Sequence, residues 1–410
     1  MTLKTAGIVN ANAKYNKGSA RKEARTLERI LHSCNSRVDI TRSIAQVKKN
    51  CGEFIKEGVD IVMLSTGDGG VQTFLDFYFK QLYREFCNGM TPIEFAHNLN
   101  PMILDSNSAI PLPAIYHKRK GTLNVYADTL GMKGNAEKIS ENIHMANHKY
   151  DGLGIKAFRR VYVPVLMIYS KEKPDDLETM RLMTLYCDGI LYNFFQEYYA
   201  PREEGRDVNM ARALEVIIRA STSSILDFFM PRNTTLGKGL YTERYIDKIN
   251  REIEGEVKVT VVDEDGSTEE KTVISKNGKR NITAVGTTCA SLYGIKPFHA
   301  MPNKPEEFKS YFGPLVQEEP QNLNIEDHTL QILTGNCKPV DLSRAVPPSY
   351  FRLPLNVAGM LNTKAKRVEI EQTESLNYIA DGSTESNGKS VVIEIAYLQP
   401  FILLDHPPMT

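Results

Sequence analysis

The segment Val59 to Leu64 (VDIVML), followed at once by Ser65-Thr66-Gly67-Asp68-Gly69-Gly70, constrains the fold of this chain more than any other. A run that is apolar on both of its alternating faces suits a strand covered by helices on either side, as in a parallel sheet. Its neighbours keep the same rhythm. Ala6 to Val9 is a short apolar run that ends in a polar turn, Asn10 to Gly18. Ser19 to Ser33 carries Ala20, Ala24, Leu27, Ile30 and Leu31 at helical spacing. Arg37 to Thr41 reads as a strand, Ile44 to Lys56 as a helix, Val71 to about Cys87 as another helix, and Pro111 to Tyr116 as a further strand. This alternation predicts an α/β N-terminal doubly wound domain over residues 1–150.

From about Ala157 the pattern changes to short β-branched segments separated by turn clusters: Arg160–Tyr169, Leu185–Tyr192, Glu256–Asp263, Lys271–Ile274, Asn281–Val285, Thr329–Leu333, Arg367–Gln372 and Ser390–Ile395. They predict a C-terminal antiparallel β-rich, sandwich-like domain over 151–410. It carries a helical insertion, Val208 to Phe229, and its C-terminal tail is free to return to the first domain. The expected hinge lies near Asn147 to Ala157, where Gly152 and Gly154 break the pattern.

Composition excludes several classes. With 410 residues, 41% hydrophobic and 24% charged, the chain can bury an ordinary core. Fifty basic and fifty acidic side chains cancel, so no global field draws it to nucleic acid, and none is expected as a partner. The six cysteines form no CxxC or CxH pair, which argues against a zinc site and for reduced thiols in the cytoplasm. The start, MTLKTAGIVN, passes directly into a strand pattern without the apolar region of a signal peptide. The longest apolar run, around Val161 to Tyr169, is far short of the ~20 residues that span a bilayer. Work on a lipid would therefore be done from the membrane surface.

Three segments at strand ends carry candidate chemistry. Asn10 to Lys14 with Gly18 forms a polar turn before a helix, which offers N–H groups to an anion and is equally what an ordinary strand-to-helix turn looks like. In Thr66 to Gly70, small residues after a buried strand let a ligand approach the backbone, and Asp68 stands where ligands bind in open α/β sheets. A tight turn with an N-capping Asp accounts for the same residues. In Gly121 to Gly131 (GTLNVYADTLG), Gly121 and Thr122 would face the same crevice and Asn124 could cap a helix. Just upstream, His117-Lys118-Arg119-Lys120 either attracts phosphate or forms a solvated face. The stretch Tyr192, Phe194, Phe195, Tyr198 and Tyr199 either lines an apolar pocket or packs in the core.

Taken together, the TGDGG turn, the GTLNVYADTLG element and the Asn10 turn resemble the catalytic domain of diacylglycerol kinases and sphingosine kinases. Thr41 matches the position of a nucleotide-contacting Thr, and Asp381-Gly382-Ser383 stands where the family carries a late DGE tripeptide. The resemblance implies transfer of the γ-phosphoryl group of Mg2+-bound ATP to a lipid alcohol, with peripheral contact at membranes. Asn10, Thr41, Gly67, Gly69, Gly70, Gly121, Thr122 and Asn124 would hold the nucleotide. Asp68 and Asp381 would be the catalytic carboxylates, one as base and the other organising metal or nucleotide; Asp-Gly is also a common hairpin turn. The chain departs from the pattern at Thr66, Gly70, Thr73 and Ser383, which motivates a second reading: a nucleotide-binding protein of the same fold without turnover. A third is a kinase for a soluble nucleotide, similar to the NAD kinases, which share the GGDG turn.

Overall fold

The computed structural model of the chain describes residues 3–104, 110–120, 134–148, 154–203, 245–263, 266–273, 278–287, 324–338, 357–381 and 383–406, with isolated residues between them. The N-terminal region alternates as the apolar periodicity predicts: β1 (Lys4–Asn10), α1 (Ala20–Ile30), β2 (Asn35–Thr41), α2 (Ile44–Glu57), β3 (Ile61–Thr66), α3 (Asp68–Phe86), α4 (Pro92–Leu104), β4 (Ala114–Arg119) and α5 (Ala136–His148). In α1 the spacing puts Ala20, Ala24, Leu27 and Ile30 on one buried face, and Glu23 goes in with them. The start of α2 is set by Ser43, whose hydroxyl accepts from the Gln46 N–H at 3.4 Å. All six residues of β3 are buried, and each large apolar side chain among them contributes roughly 1.5–3 kcal/mol.

These strands lie in the order β2-β1-β3-β4, and each neighbouring pair is parallel. From β1 the chain moves outward to β2, then returns past β1 to β3. Opposite crossovers put α1 and α2 on opposite faces and open a crevice at the carboxyl ends of β1 and β3.

The C-terminal region comprises β5 (Arg160–Ser170), β6 (Arg181–Met183), β7 (Leu185–Gly189), α6 (Ile190–Glu203), α7 (Tyr245–Ile249), β8 (Ile253–Val262), β9 (Thr268–Val273), β10 (Lys279–Arg280), β11 (Ile282–Gly286), β12 (Leu330–Gly335), β13 (Met360–Gln372), β14 (Leu376–Ala380), β15 (Ser383–Asn387) and β16 (Ser390–Ile402). Here neighbours run antiparallel in the order β15-β14-β7-β11-β12-β13-β16, with β5 on β16 and β8 on β13. The two kinds of sheet are continuous. β16 pairs with β13 and β5, and at Phe401 it runs parallel to Ile115 of β4, so that 16 strands form one mixed sheet. Beyond β16, Asp405 accepts from the Tyr116 hydroxyl at 2.8 Å and the Asn135 N–H at 3.3 Å. Asn142 of α5 donates to the carbonyls of Leu404 and His406. The end of the chain is thereby tied to the α/β region.

Three expectations change. The strand expected over Leu185–Tyr192 stops at Gly189, and the aromatic stretch is helical. Gly189 has φ of +59°, and a Cβ there would meet the Asn281 carbonyl oxygen at 2.1 Å, so the strand turns where only glycine fits. Phe195, Tyr198 and Tyr199 then follow the i, i+3, i+4 rule; the first two are buried in the core and Tyr199 packs against it. Second, α4 and α5 were not anticipated, and Asn147 of the expected hinge lies inside α5. Third, α3 begins at Asp68, three residues before Val71. The helical insertion expected over Val208–Phe229 lies mostly outside the described residues.

One buried ion pair knits the β-rich region. Arg280 and Asp188 are 1% exposed and 2.6 Å apart, and Arg280 also reaches Thr283 and Gln372. Tyr186 donates to the other Asp188 oxygen. Removing one partner strands a charge in the core, so Asp188→Ala should cost about 3–5 kcal/mol in urea unfolding, and Asp188→Ala with Arg280→Met less. A single-variant loss under about 1 kcal/mol would contradict this account of the pair.

Candidate nucleotide site

A cavity of about 200 Å³ opens at the carboxyl ends of β1, β2 and β3, in the crevice that the strand order creates. Ile8, Val47, Leu64 and Phe74 give it apolar walls. Asn10, Thr41, Thr66 and Gly70 give it a polar rim. An apolar slot with a few fixed polar groups suits a planar heterocycle carrying a polar tail.

The rim is held by its own bonds. Asn10 Nδ2 donates to Thr66 Oγ1 at 3.2 Å, and its Oδ1 accepts from the Asn12 N–H at 2.9 Å. The Ala11 N–H donates to the Thr41 carbonyl, which ties the tips of β1 and β2 together. Asn16, fully buried, donates through Nδ2 to the carbonyls of Asn10 at 3.0 Å and Ser65 at 2.9 Å. It folds the Asn10–Gly18 turn down onto β3. Sequence reasoning passed over Asn16, because nothing in periodicity separates one turn asparagine from another.

Gly67 is the N-cap of α3, and Asp68, Gly69 and Gly70 form its first turn, where the helix dipole favours an anion and the Gly70 N–H donates to the Gly67 carbonyl at 3.0 Å. Asp68 is therefore in the helix and does not cap it. Gly70 is required by contact. A Cβ there would lie 1.9 Å from Thr66 Oγ1 and 2.8 Å from Thr66 Cβ. Thr73 donates to the Gly69 carbonyl at 2.7 Å and lines the cavity.

Asp68 is 9% exposed, with Oδ1 4.0 Å from Nδ1 of the fully buried His117. His117 Nε2 is 3.0 Å from the Thr66 carbonyl oxygen, so that nitrogen carries the hydrogen. The ring is thus pinned by the strand tip that also shapes the cavity. Asp381 sits elsewhere. It is the first residue of the turn joining β14 to β15, with φ of +44°. Its carboxylate accepts from the Thr184 N–H at 2.8 Å and the Thr184 hydroxyl at 3.0 Å. Gly121, Thr122 and Asn124, with most of Gly121–Gly131, lie outside the described residues, as does Gly382.

The basic run before Gly121 is solvated only at Arg119. Lys118 is 8% exposed and its ammonium lies 2.7 Å from Glu23 Oε1, while Lys120 reaches Glu23 Oε2 at 3.0 Å. Ser65 donates to the same carboxylate at 3.1 Å. Burial pushes the Glu23 carboxyl upward, but the two ammonium groups outweigh it and hold the carboxyl below its ordinary value.

By sequence the chain matches no protein-family model and no curated protein. By structure it is similar to two solved proteins of Bacillus anthracis str. Sterne, each described as "a putative diacylglycerol kinase". The first is 16% identical at a TM-score of 0.51, with 98% of this chain and 97% of that chain covered. The second is 16% identical at a TM-score of 0.50, over the same shares of each chain. The common element is a mixed α/β fold across nearly the whole length. No described helix is long and apolar enough to cross a membrane.

Two outcomes follow from the geometry. Gly70→Ala should destabilise the protein by about 1–3 kcal/mol in thermal melts through overpacking, and Thr66→Ala in the same chain should recover some of it; additive losses would count against the contact. Glu23 titrates below its unfolded value of about 4.3, so its contribution to stability is complete above that pH and is lost as pH falls through the folded value. Glu23→Gln should therefore lose less stability than the parent between about pH 5 and 3. Parallel acid-unfolding curves for the two would dismiss the Lys118–Glu23–Lys120 coupling.

Proposed function

We propose that this chain is an ATP-dependent lipid kinase, which moves the γ-phosphoryl group of the nucleotide to the hydroxyl of a lipid alcohol of the diacylglycerol or sphingoid type. The observation that carries the reading is the cavity at the crossover reversal, which opens directly onto the glycine turn that starts α3. The likeness in fold to the Bacillus anthracis proteins supports it.

In this reading the base enters between Val47 and Phe74, and Asn10 and Thr41 hold the polar edge of the nucleoside. The phosphates lie across Gly67, Gly69 and Gly70, whose small size admits them, at the positive end of α3, which neutralises charge. Gly121, Thr122 and Asn124 are assigned to the nucleotide by the family resemblance alone. Asp68 is the base. The acceptor oxygen forms a bond to the γ-phosphorus, the bond from that phosphorus to the β–γ bridging oxygen breaks, ADP leaves, and the hydroxyl proton passes to the Asp68 carboxylate. Asp381 is better suited to shaping the turn than to taking the proton, because both its oxygens already accept from Thr184. Magnesium would arrive on the phosphates and add charge neutralisation, with Asp68 the carboxylate at hand; among the described residues no group of three or more His, Cys, Asp or Glu side chains gathers to hold a metal. The lipid would be met at the membrane surface.

A second reading is binding without turnover. It is favoured by Thr73, which spends its hydroxyl on the Gly69 carbonyl at the position where the related kinases carry an acid. The test is transfer of labelled phosphate from ATP to diacylglycerol and sphingoid bases in mixed micelles, beside a binding titration with ATP. Asp68→Asn should lower turnover by roughly 10²–10⁴-fold while nucleotide binding persists. ATP binding with no lipid product above the Asp68→Asn background would favour the second reading. Product formed on a soluble nucleotide without lipid would favour a nucleotide kinase.

A further inference from the structure

β3 ends in two consecutive residues that face opposite sides of the sheet. Thr66 lines the cavity on the α2–α3 side. Ser65 turns to the α1 side and binds Glu23. Between them and α3 lies the Gly67–Gly70 turn. A ligand seated in the cavity and extended over the strand tips therefore leads toward the group formed by Glu23, Lys118 and Lys120.

Among the described residues the charges of that group do not balance. Two ammonium ions share one carboxylate, and all three side chains are largely buried: Lys118 at 10% exposure, Lys120 at 20% and Glu23 at 9%. The first turn of α3, next along the chain from Ser65, adds a further positive end. A surplus cation kept out of water is costly unless an anion completes it. Lys120 is the more open of the two lysines, and its backbone is fixed on both sides. Its N–H donates to the Thr66 carbonyl at 3.0 Å, and its own carbonyl accepts from the Tyr15 N–H. Lys118 is deeper and closer to Glu23, so it acts as the anchor.

We propose that Lys120, held in place by Glu23 and Lys118, is a phosphate-contacting residue that selects ligands carrying a polyphosphate chain over those carrying the nucleoside alone. This rests on the nucleotide site proposed above and extends it to the α1 side of the strand tips. Lys120 is the binding group; Glu23 and Lys118 are positioning residues.

The experiment measures binding of ATP, adenosine and inorganic tripolyphosphate to the full chain by calorimetry, for the parent, Lys120→Met, Lys120→Arg and Glu23→Gln, with a thermal melt of each. Loss of one charge-assisted contact to phosphate should weaken ATP and tripolyphosphate roughly tenfold to hundredfold in Lys120→Met, with adenosine unchanged. Lys120→Arg should keep most of the affinity. Glu23→Gln should weaken ATP while leaving adenosine alone. A merely structural role would lower the melting temperature of Lys120→Met and leave the ATP-to-adenosine ratio at the parent value, and that result overturns the proposal. If Lys120→Met does not fold, the same ratio in Lys120→Arg and Glu23→Gln decides. Parent protein that binds tripolyphosphate through Lys120 but binds neither ATP nor adenosine would sink the nucleotide reading and keep the phosphate seat. Parent protein that binds ATP with a ratio indifferent to every variant would keep the nucleotide reading and sink the seat. Failure to bind any of the three ligands overturns both.

Discussion

β3 has no solvent-facing side, and the chemistry of this protein follows from that constraint. Six consecutive buried residues leave a polar group only one place to act, which is the strand tip. There the alternation of side chains splits the work. Thr66 goes to the cavity, Ser65 to the lysine group, and the two backbone carbonyls take Asn16, His117 and Lys120. Gly70 then has to be small, because it closes onto Thr66 with no room for a Cβ. A buried parallel strand thus prepares its own ligand platform, since the backbone groups at its end have no further ladder to join.

β16 does for the whole chain what β3 does for the site. It is buried at all but one of its positions and touches both kinds of sheet, antiparallel to β13 and β5 and parallel to β4. The segment after it is sewn to Tyr116, Asn135 and Asn142. A second clamp lies at α3. Asp76 accepts from Lys80 at 3.0 Å and from the Leu182 N–H of β6 at 3.2 Å. The helix that carries Asp68 at its start is thereby fixed, about two turns further along, to the β-rich region.

The elements with a strong period were legible in the sequence to within three residues at each end. α2 was expected over Ile44–Lys56 and runs Ile44–Glu57, because its apolar spacing and its Ser43 cap are local facts. Helix α4 was left unassigned in a stretch that holds Pro92 and Pro101; Pro92 opens the helix, where its missing N–H costs nothing. Helix α6 escaped because Tyr and Phe are strand formers by propensity, and only the core behind Phe195 and Tyr198 decides otherwise. At the cavity, the glycine turn and Asn10 were legible as strand ends with small or polar residues, and Thr41 only through the family resemblance. Glu23 was not. It stands on the apolar face of α1, and its partners arrive from a strand far along the chain. Pairings of that kind are set by the sheet order, which no local window contains.

The two candidate carboxylates show how much a motif owes to its surroundings. Both precede a glycine, and both are buried. Asp381 adopts a left-handed backbone conformation and gives both oxygens to Thr184, so it works as a turn residue after β14, held by side-chain bonds to the residue before β7. Asp68 starts a helix at the end of a parallel strand, beside a histidine whose other nitrogen is fixed by the same strand. A proton acceptor needs an oxygen directed at a ligand and a frame that does not move. Asp68 has that frame in the Thr66 carbonyl, His117 and the first turn of α3, while the frame around Asp381 occupies the carboxylate itself. The two Asp-Gly pairs differ in where the strand before each one leads, into a helix at Asp68 and into a second strand at Asp381.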